Sequence, residues 1–369
     1  MSYSDISQVG DNIYVNVAFS KNPDSTAFEE AAEYSVSKTI PILAKADDYY
    51  CSIIRFAIPL NETPLLIMPI VPNQVNPNLT PLKIGISVGG INFTRNVIYV
   101  SNTNAPIPVQ NQSIQVITSY YYVFEYQSII NNVNTALASA FLASGLAGNT
   151  PYFYLQPESE LIHLVVDIAT FSPTATAIVP SPIQSATIYM NNDLEVYLSA
   201  FPVIYVAPNS EPGRDYDFSL VRFGGDKLIP PFNIGAVATQ KNFTQEYSVL
   251  ALWSSLRKIL ITSNTIPIQS EYTPTGNSGI SSTLPVITDF IPQNELPGQS
   301  RSIAYYNPSA QYRLVDLKSS CELRTIDLKI YWQDIFQNIY PLLISKYQQA
   351  SIKLAFIKKT LYNDNGLKK

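Results

Sequence analysis

Tyr49-Tyr-Cys-Ser-Ile-Ile-Arg-Phe-Ala-Ile58 is a β-branched and aromatic run that stops at Pro59. It reads as a strand, because branched and aromatic side chains suit a pleated surface and proline cannot continue a ladder. Working outward, Leu65–Ile70, Leu82–Val88, Phe93–Val100 and Ile114–Tyr126 have the same character, each bounded by Pro, Gly or Asn. Beyond them, Phe153–Leu155, Leu161–Ala169, Ile183–Met190, Tyr216–Phe223 and Lys258–Thr262 read as strands. So do Val286–Ile291, Tyr312–Leu317, Thr325–Trp332, Tyr340–Ile344 and Ile352–Ile357. Short strands with regular turn punctuation predict an antiparallel sandwich or barrel rather than alternating βαβ units.

One segment breaks the pattern. Over Ser128–Leu146, Ile130, Val133, Leu137, Phe141 and Ser144 recur at helical spacing, with Gly145 and Gly148 as stop signals. A second, shorter helix is expected over Asp193–Phe201. Pro274–Leu284 and Pro292–Pro308 are polar and rich in Pro, Gly, Ser and Asn, so they read as loops, and the tail Asn363–Lys369 should fray. The fold class is all-β with one or two short helices.

Composition narrows the function. A chain of 369 residues suits two domains, since single cores stop growing at about 250–300 residues. Hydrophobic residues make up 46%, ample for a core, but charged residues only 14%, well under the usual ~25%. The surface is therefore built from Asn, Gln, Ser, Thr and Tyr, and the 25 tyrosines offer broad contact area with a polar tip, as interfaces favour. Net charge is −5, unevenly spread: residues 1–245 hold 10 Lys+Arg against 19 Asp+Glu, and residues 246–369 hold 13 against 9. The acidic balance argues against nucleic-acid binding by the bulk field, while the basic end could touch one locally. Met1–Asn12 has no apolar core, so no signal peptide is expected, and no run reaches the ~18 apolar residues of a membrane span.

Candidate chemistry is sparse. His163 is the only histidine and sits in the alternating run Leu161-Ile-His-Leu-Val-Val-Asp167; without a Gly-x-Ser-x-Gly elbow it reads as a structural strand residue. Cys51 and Cys321 read as free buried thiols, and no Cys/His spacing fits zinc. The acidic pairs Asp47-Asp48 and Asp215-Tyr-Asp217 read as solvated turn residues, although a glycosidase would need two such carboxylates converging. Gly89-Gly90 and Gly224-Gly225 are followed by neither a helix nor a Lys-Ser/Thr pair, so no phosphate cradle is expected. No catalytic, cofactor-binding or metal-binding residue is assigned, and no cofactor. Arg55, Arg313, Asp316 and Asp327 lie inside apolar strand blocks, where each should point outward or meet an opposite charge. Six lysines (Lys346, Lys353, Lys358, Lys359, Lys368 and Lys369) crowd the last 29 residues against one acid, Asp364. They suit either a charged terminal edge or a face turned toward nucleic acid.

Particular blocks carry a resemblance. Tyr50-x-x-Ile-Ile-Arg55-Phe-x-Ile-Pro59 followed by Pro64-Leu-Leu-Ile-Met-Pro69 resembles the opening of the minor capsid (penton) proteins of virophages and polinton-like viruses. Trp253-Ser-Ser-Leu-Arg257-Lys-Ile-Leu-Ile261 with Ile266-Pro267 and Glu271, then Thr288-Asp289-Phe290, is similar to the same family. So are Phe153–Asp167, Ile188-Tyr-Met-Asn191-x-x-Leu194, Tyr312-Arg313-Leu-Val-Asp316-Leu, Leu323-x-x-Ile-Asp327-Leu-x-Ile-Tyr331-Trp332 and Tyr340-Pro341-Leu. The blocks keep their order between Tyr49 and Ile357.

The resemblance implies a jelly-roll sandwich with an inserted second β-rich domain raised above the shell, in a subunit whose five copies close an icosahedral vertex. The expected division is residues 1–100 plus 245–369 for the base jelly roll and 101–244 for the insertion. The implied partners are the chain itself as a homopentamer, the hexons of the major capsid protein, packaged DNA through the basic C-terminal region, and a host surface through the upper domain. The implied location is the virion, after synthesis in the host cell. Two rivals share the composition: a receptor- or carbohydrate-binding spike module, and a glycosidase-like sandwich.

Overall fold

The computed structural model describes residues 3–9, 12–20, 29–71, 74–76, 78–100, 120–167, 170–171, 186–206, 212–218, 240–273, 282–292, 303–307, 313–345 and 347–360. Tyr49–Pro59 is the strand around which the first sheet forms. Gln349–Lys358 pairs with it on one side, and the short strands Ile303–Tyr306 and Val315–Asp316 pair with it on the other, all antiparallel. Gln349–Lys358 is sandwiched in turn by Asn12–Ser20, and Tyr3–Val9 forms the far edge. A register shift at Lys353/Leu354 bulges the central pairing.

A second antiparallel sheet runs Val286–Phe290, Leu256–Thr262, Thr325–Asp334 and Ile339–Pro341, with Glu33–Ser37 also pairing Thr325–Asp334. Alternation decides which faces meet. Val15, Val17 and Phe19 are buried from one strand, Ile352, Leu354 and Phe356 from the next, and Ile326, Leu328 and Ile330 from the opposing sheet. Phe19 meets Tyr34 edge-on at 6.1 Å, and Phe56 meets Phe290 at 4.3 Å, so aromatic pairs bind the two sheets into a sandwich.

The described residues fall into two compact units, one within 1–64 and 255–369 and the other within 65–254. The sandwich is the first. The second is built around the helix α1, Tyr126–Ser144. Ile129, Ile130, Val133, Leu137 and Phe141 bury its apolar face, and Gly145 ends it in the left-handed conformation at φ 68°. It packs on Leu79–Val88, Ile91–Ile98 and Tyr152–Gln156. The first two of these belong to a five-stranded sheet ordered Val203–Tyr205, Tyr216–Phe218, Ala186–Met190, Leu79–Val88, Ile91–Ile98. Tyr152–Gln156, Leu161–Asp167 and Gln240–Thr244 form a three-stranded sheet, and Leu66–Pro69 pairs with Tyr120–Val123. Gly89 and Gly90, at φ 57° and 84°, make the two-residue turn between Val88 and Ile91, where both central residues need positive φ. The second helix, α2 (Asn192–Leu198), starts at Asn191, whose side-chain oxygen accepts from the Leu194 amide at 3.2 Å.

The all-β class stands. Several details differ from the sequence reading. The unit boundaries fall at Pro64/Leu65 and Ser254/Ser255 rather than near 100 and 245, because the Leu79–Ile98 hairpin pairs with Ala186–Met190 and supports α1. Tyr126 opens the helix rather than ending a strand, and Ile303–Tyr306 is a strand inside a segment read as loop. The strands Tyr3–Val9, Asn12–Ser20, Glu29–Ala31 and Glu33–Ser37 precede every strand that the sequence reading named. Among the described residues, no helix is long and apolar enough to cross a membrane.

The helix seat sets a stability test. Leu137 is fully buried beneath α1, whereas Leu142, five residues on, is 83% exposed. Leu137→Ala should lower stability by about 2–5 kcal/mol, and Leu142→Ala should leave it within ~0.5 kcal/mol, in urea titrations followed by circular dichroism.

Candidate functional site

The residues weighed for catalysis are each held in place by neighbours. His163 is buried in Leu161–Asp167, its Nδ1 2.9 Å from Thr244 Oγ1 and its Nε2 3.0 Å from Gln156 Oε1. Its ring stacks on Tyr154 at 4.6 Å and 7°. Burial pushes it below its ordinary pKa, with the Asn242 contact acting the other way. A neutral imidazole with both nitrogens engaged has no free position for proton transfer to a substrate.

The acidic pairs are just as local. Asp47 and Asp48 sit on a short 3₁₀ turn, 3.4 and 3.3 Å from Lys45. Asp217 takes a two-pronged bond from Arg214, 2.7 Å on each arm, and Asp215 accepts the Asn192 amide at 2.8 Å at the start of α2. Gly224-Gly225 lies outside the described residues. Cys51 is buried, and burial pushes its thiol up to about 12; Cys321 is exposed, contrary to the expectation that both were buried, because it lies in the turn before Leu323 rather than in a strand. Among the described residues, no three His, Cys, Asp or Glu side chains gather as a metal group would require.

The four strand charges resolve differently. Arg55 is exposed, and Arg313 bridges Asp289 at 3.2 Å and Glu271. Asp316 pairs with Lys318 and, at 2.5 Å, with Lys359, and these bonds hold its carboxyl below the usual range. Asp327 is the exception: it is buried, and its partners are neutral. Its Oδ1 accepts from Ser263 Oγ at 2.7 Å and from the Asn264 amide, the Thr265 amide and Thr265 Oγ1, each at 2.8 Å. Burial alone would raise its pKa; the converging donors more than offset this and hold it below the ordinary value. The carboxylate thus fastens the Ser263–Ile266 turn to Thr325–Asp334.

What remains accessible is surface. On the sandwich unit, Ile40, Tyr272, Ile291, Tyr305 and Tyr347 are large apolar or aromatic side chains left between 65% and 93% exposed. Among the terminal lysines, Lys353 lies 5.1 Å over the Tyr14 ring and Lys359 lies 5.3 Å over the Tyr50 ring; Lys346, Lys368 and Lys369 lie outside the described residues. A surface poor in charge and rich in tyrosine suits contact between subunits.

Residues 13–358 match the family described as Sputnik minor capsid protein V18/19. Structural protein V19 of Sputnik virophage is 27% identical over 213 residues, which cover 57% of this chain and 94% of that protein. Uncharacterized protein V18 of the same virophage is 29% identical over 158 residues, 40% of this chain and 94% of that protein. Among solved structures, a chain of the 3.5 Å cryo-EM structure of the Sputnik virophage superposes with a TM-score of 0.80 at 26% identity, covering 96% of this chain and 99% of that one. The mavirus penton protein superposes with a TM-score of 0.62 at 15% identity, covering 94% and 99%, a likeness of fold.

The Asp327 seat predicts a pH response. A folded pKa below the unfolded value gives stability that is complete above about pH 4 and is lost as pH falls through the lower folded value. Asp327→Asn should cost about 1–3 kcal/mol at neutral pH and flatten part of the acid limb of a stability-versus-pH curve.

Proposed function

The chain belongs to the Sputnik minor capsid protein V18/19 family, and we propose that it serves as the penton subunit, five copies of which close each five-fold vertex of an icosahedral shell. Family membership makes it a structural protein of the virion and not an enzyme. The observation that carries the penton reading is the fold, which is similar to that of the mavirus penton protein over 94% of this chain.

In this reading the sandwich unit is the base jelly roll, and the unit within 65–254 is the inserted domain. The base would form a closed ring through a heterologous contact, one face of each copy against a different face of the next, and its outer rim would meet hexons of the major capsid protein. The weakly charged, tyrosine-rich surface favours such contacts, since few charges need to be stripped of water.

Light scattering of the purified chain, alone and mixed with the major capsid protein, tests this. The expected particle contains five chains of 41.0 kDa each. A stable monomer or a trimer under both conditions would overturn the penton assignment.

A further inference from the structure

His163 is the only histidine of the chain, and histidine is the side chain whose ordinary pKa lies between pH 5 and 8. Its place in the second unit gives that titration a structural consequence. Ile162, Leu164 and Val166 turn to the core, so His163 lies on the other face of Leu161–Asp167, and it is nonetheless only 1% exposed. The ring reaches both neighbouring strands. Nε2 stands 3.0 Å from Gln156 Oε1 on one side, and Nδ1 stands 2.9 Å from Thr244 Oγ1 on the other. Tyr154, its direct cross-strand partner, stacks on it. One side chain therefore joins all three strands of this sheet.

The neutral ring fits this place and the charged ring does not. The Gln156 oxygen only accepts, so Nε2 carries the proton and Nδ1 accepts from the Thr244 hydroxyl. A second proton goes to Nδ1. The Thr244 hydroxyl must then turn to accept, leaving its own proton without the acceptor it has now. No carboxylate compensates the new charge. Among the described residues, the titratable groups on this face are Tyr152 and Tyr154 across the sheet and Asp167 along the same strand. Burial pushes both tyrosines up, so they stay neutral, and Asp167 is bonded to Asn149 at the far end of the strand. The other neighbour offers Asn242 and Thr244, both neutral. Asn242, whose side-chain oxygen is buried without a hydrogen bond, favours the charged ring, but burial outweighs it. Taking a cation out of water without a counter-charge costs more than one neutral acceptor returns.

We propose that His163 is an acid-sensitive latch, whose protonation in mildly acidic solution unfastens Tyr152–Gln156 and Gln240–Thr244 from Leu161–Asp167 while the sandwich unit stays closed. The inference does not depend on how many copies of the chain assemble. Its direction follows from linkage. The unfastened sheet has an ordinary imidazole, with a pKa of about 6.5, whereas the closed sheet holds it lower. The stability contributed by the joint is therefore complete above about pH 6.5 and is lost as pH falls toward the closed-state value. Over that window the opening equilibrium rises up to about tenfold per pH unit.

Hydrogen exchange of the full chain, read by mass spectrometry and corrected for the intrinsic pH dependence of exchange, tests the latch. Between about pH 7.5 and 5.0, protection of the three strands should fall severalfold, up to roughly thirtyfold, while Gln349–Lys358 in the sandwich keeps its protection. His163→Gln, which keeps a polar side chain that cannot be charged, should show no such fall. Wild type and His163→Gln responding to pH in parallel overturns the proposal, and so does a wild type whose three strands stay protected throughout. The single histidine also permits a measurement that needs no variant to fold. In wild-type chain labelled with carbon-13 at histidine, the one imidazole resonance reports the closed-state titration directly. A midpoint below about 6.5 is expected, and one at or above that value overturns the latch.

Discussion

The placement of Gln349–Lys358 between Asn12–Ser20 and Tyr49–Pro59 is the constraint on which the molecule depends. These pairings join residues about as far apart in sequence as the described chain allows, such as Tyr14 with Ala355 and Cys51 with Phe356. The sandwich therefore cannot close until its two ends have met, and everything from Leu65 to Ser254 must leave and return as an excursion. Ser255 marks the return: its hydroxyl donates to the Pro64 carbonyl, a buried bond that ties the last residue before the excursion to the first one after it. Closing so long a loop adds only slowly with length to the entropic cost, which is why a separate compact unit can be carried there. Pairing at such separation is nonetheless slow to form.

Much of this was legible because burial leaves a periodic trace. Tyr49–Pro59, Thr325–Asp334 and Gln349–Lys358 alternate or run apolar, and each was read as a strand within a few residues of its ends. The Ser128–Leu146 helix was equally plain, since Ile130, Val133, Leu137 and Phe141 keep helical spacing. Asn12–Ser20 was missed although Val15, Val17 and Phe19 alternate inward, because polar Asn12, Asn16 and Ser20 dilute the signal. Ile303–Tyr306 was hidden by its flanks: four residues amid Pro, Gly, Ser and Asn become a strand only when Phe56–Pro59 offers an edge. That choice is tertiary, and no local propensity records it.

The charged residues show where sequence reasoning about function stops. A charge inside an apolar block needs compensation where it is buried, but the sequence does not say which charge is buried or what compensates it. Arg313 stays exposed beside carboxylates, whereas buried Asp327 is satisfied by a turn of hydroxyls and amides from Ser263 to Thr265. The unit boundary failed for a related reason. Residues 65–100 look like the preceding strands, and only their pairing with Ala186–Met190 assigns them to the second unit.

Saturation separates a structural polar group from a reactive one. A general base needs an accepting position free for a substrate proton, and a nucleophile needs an open approach. His163 has both nitrogens engaged, Asp217 gives both oxygens to Arg214, and Cys51 is buried with its thiol held protonated. In His163 and Asp217 the hydrogen bonding that fixes the fold occupies the atoms that chemistry would require, and at Cys51 burial closes the approach.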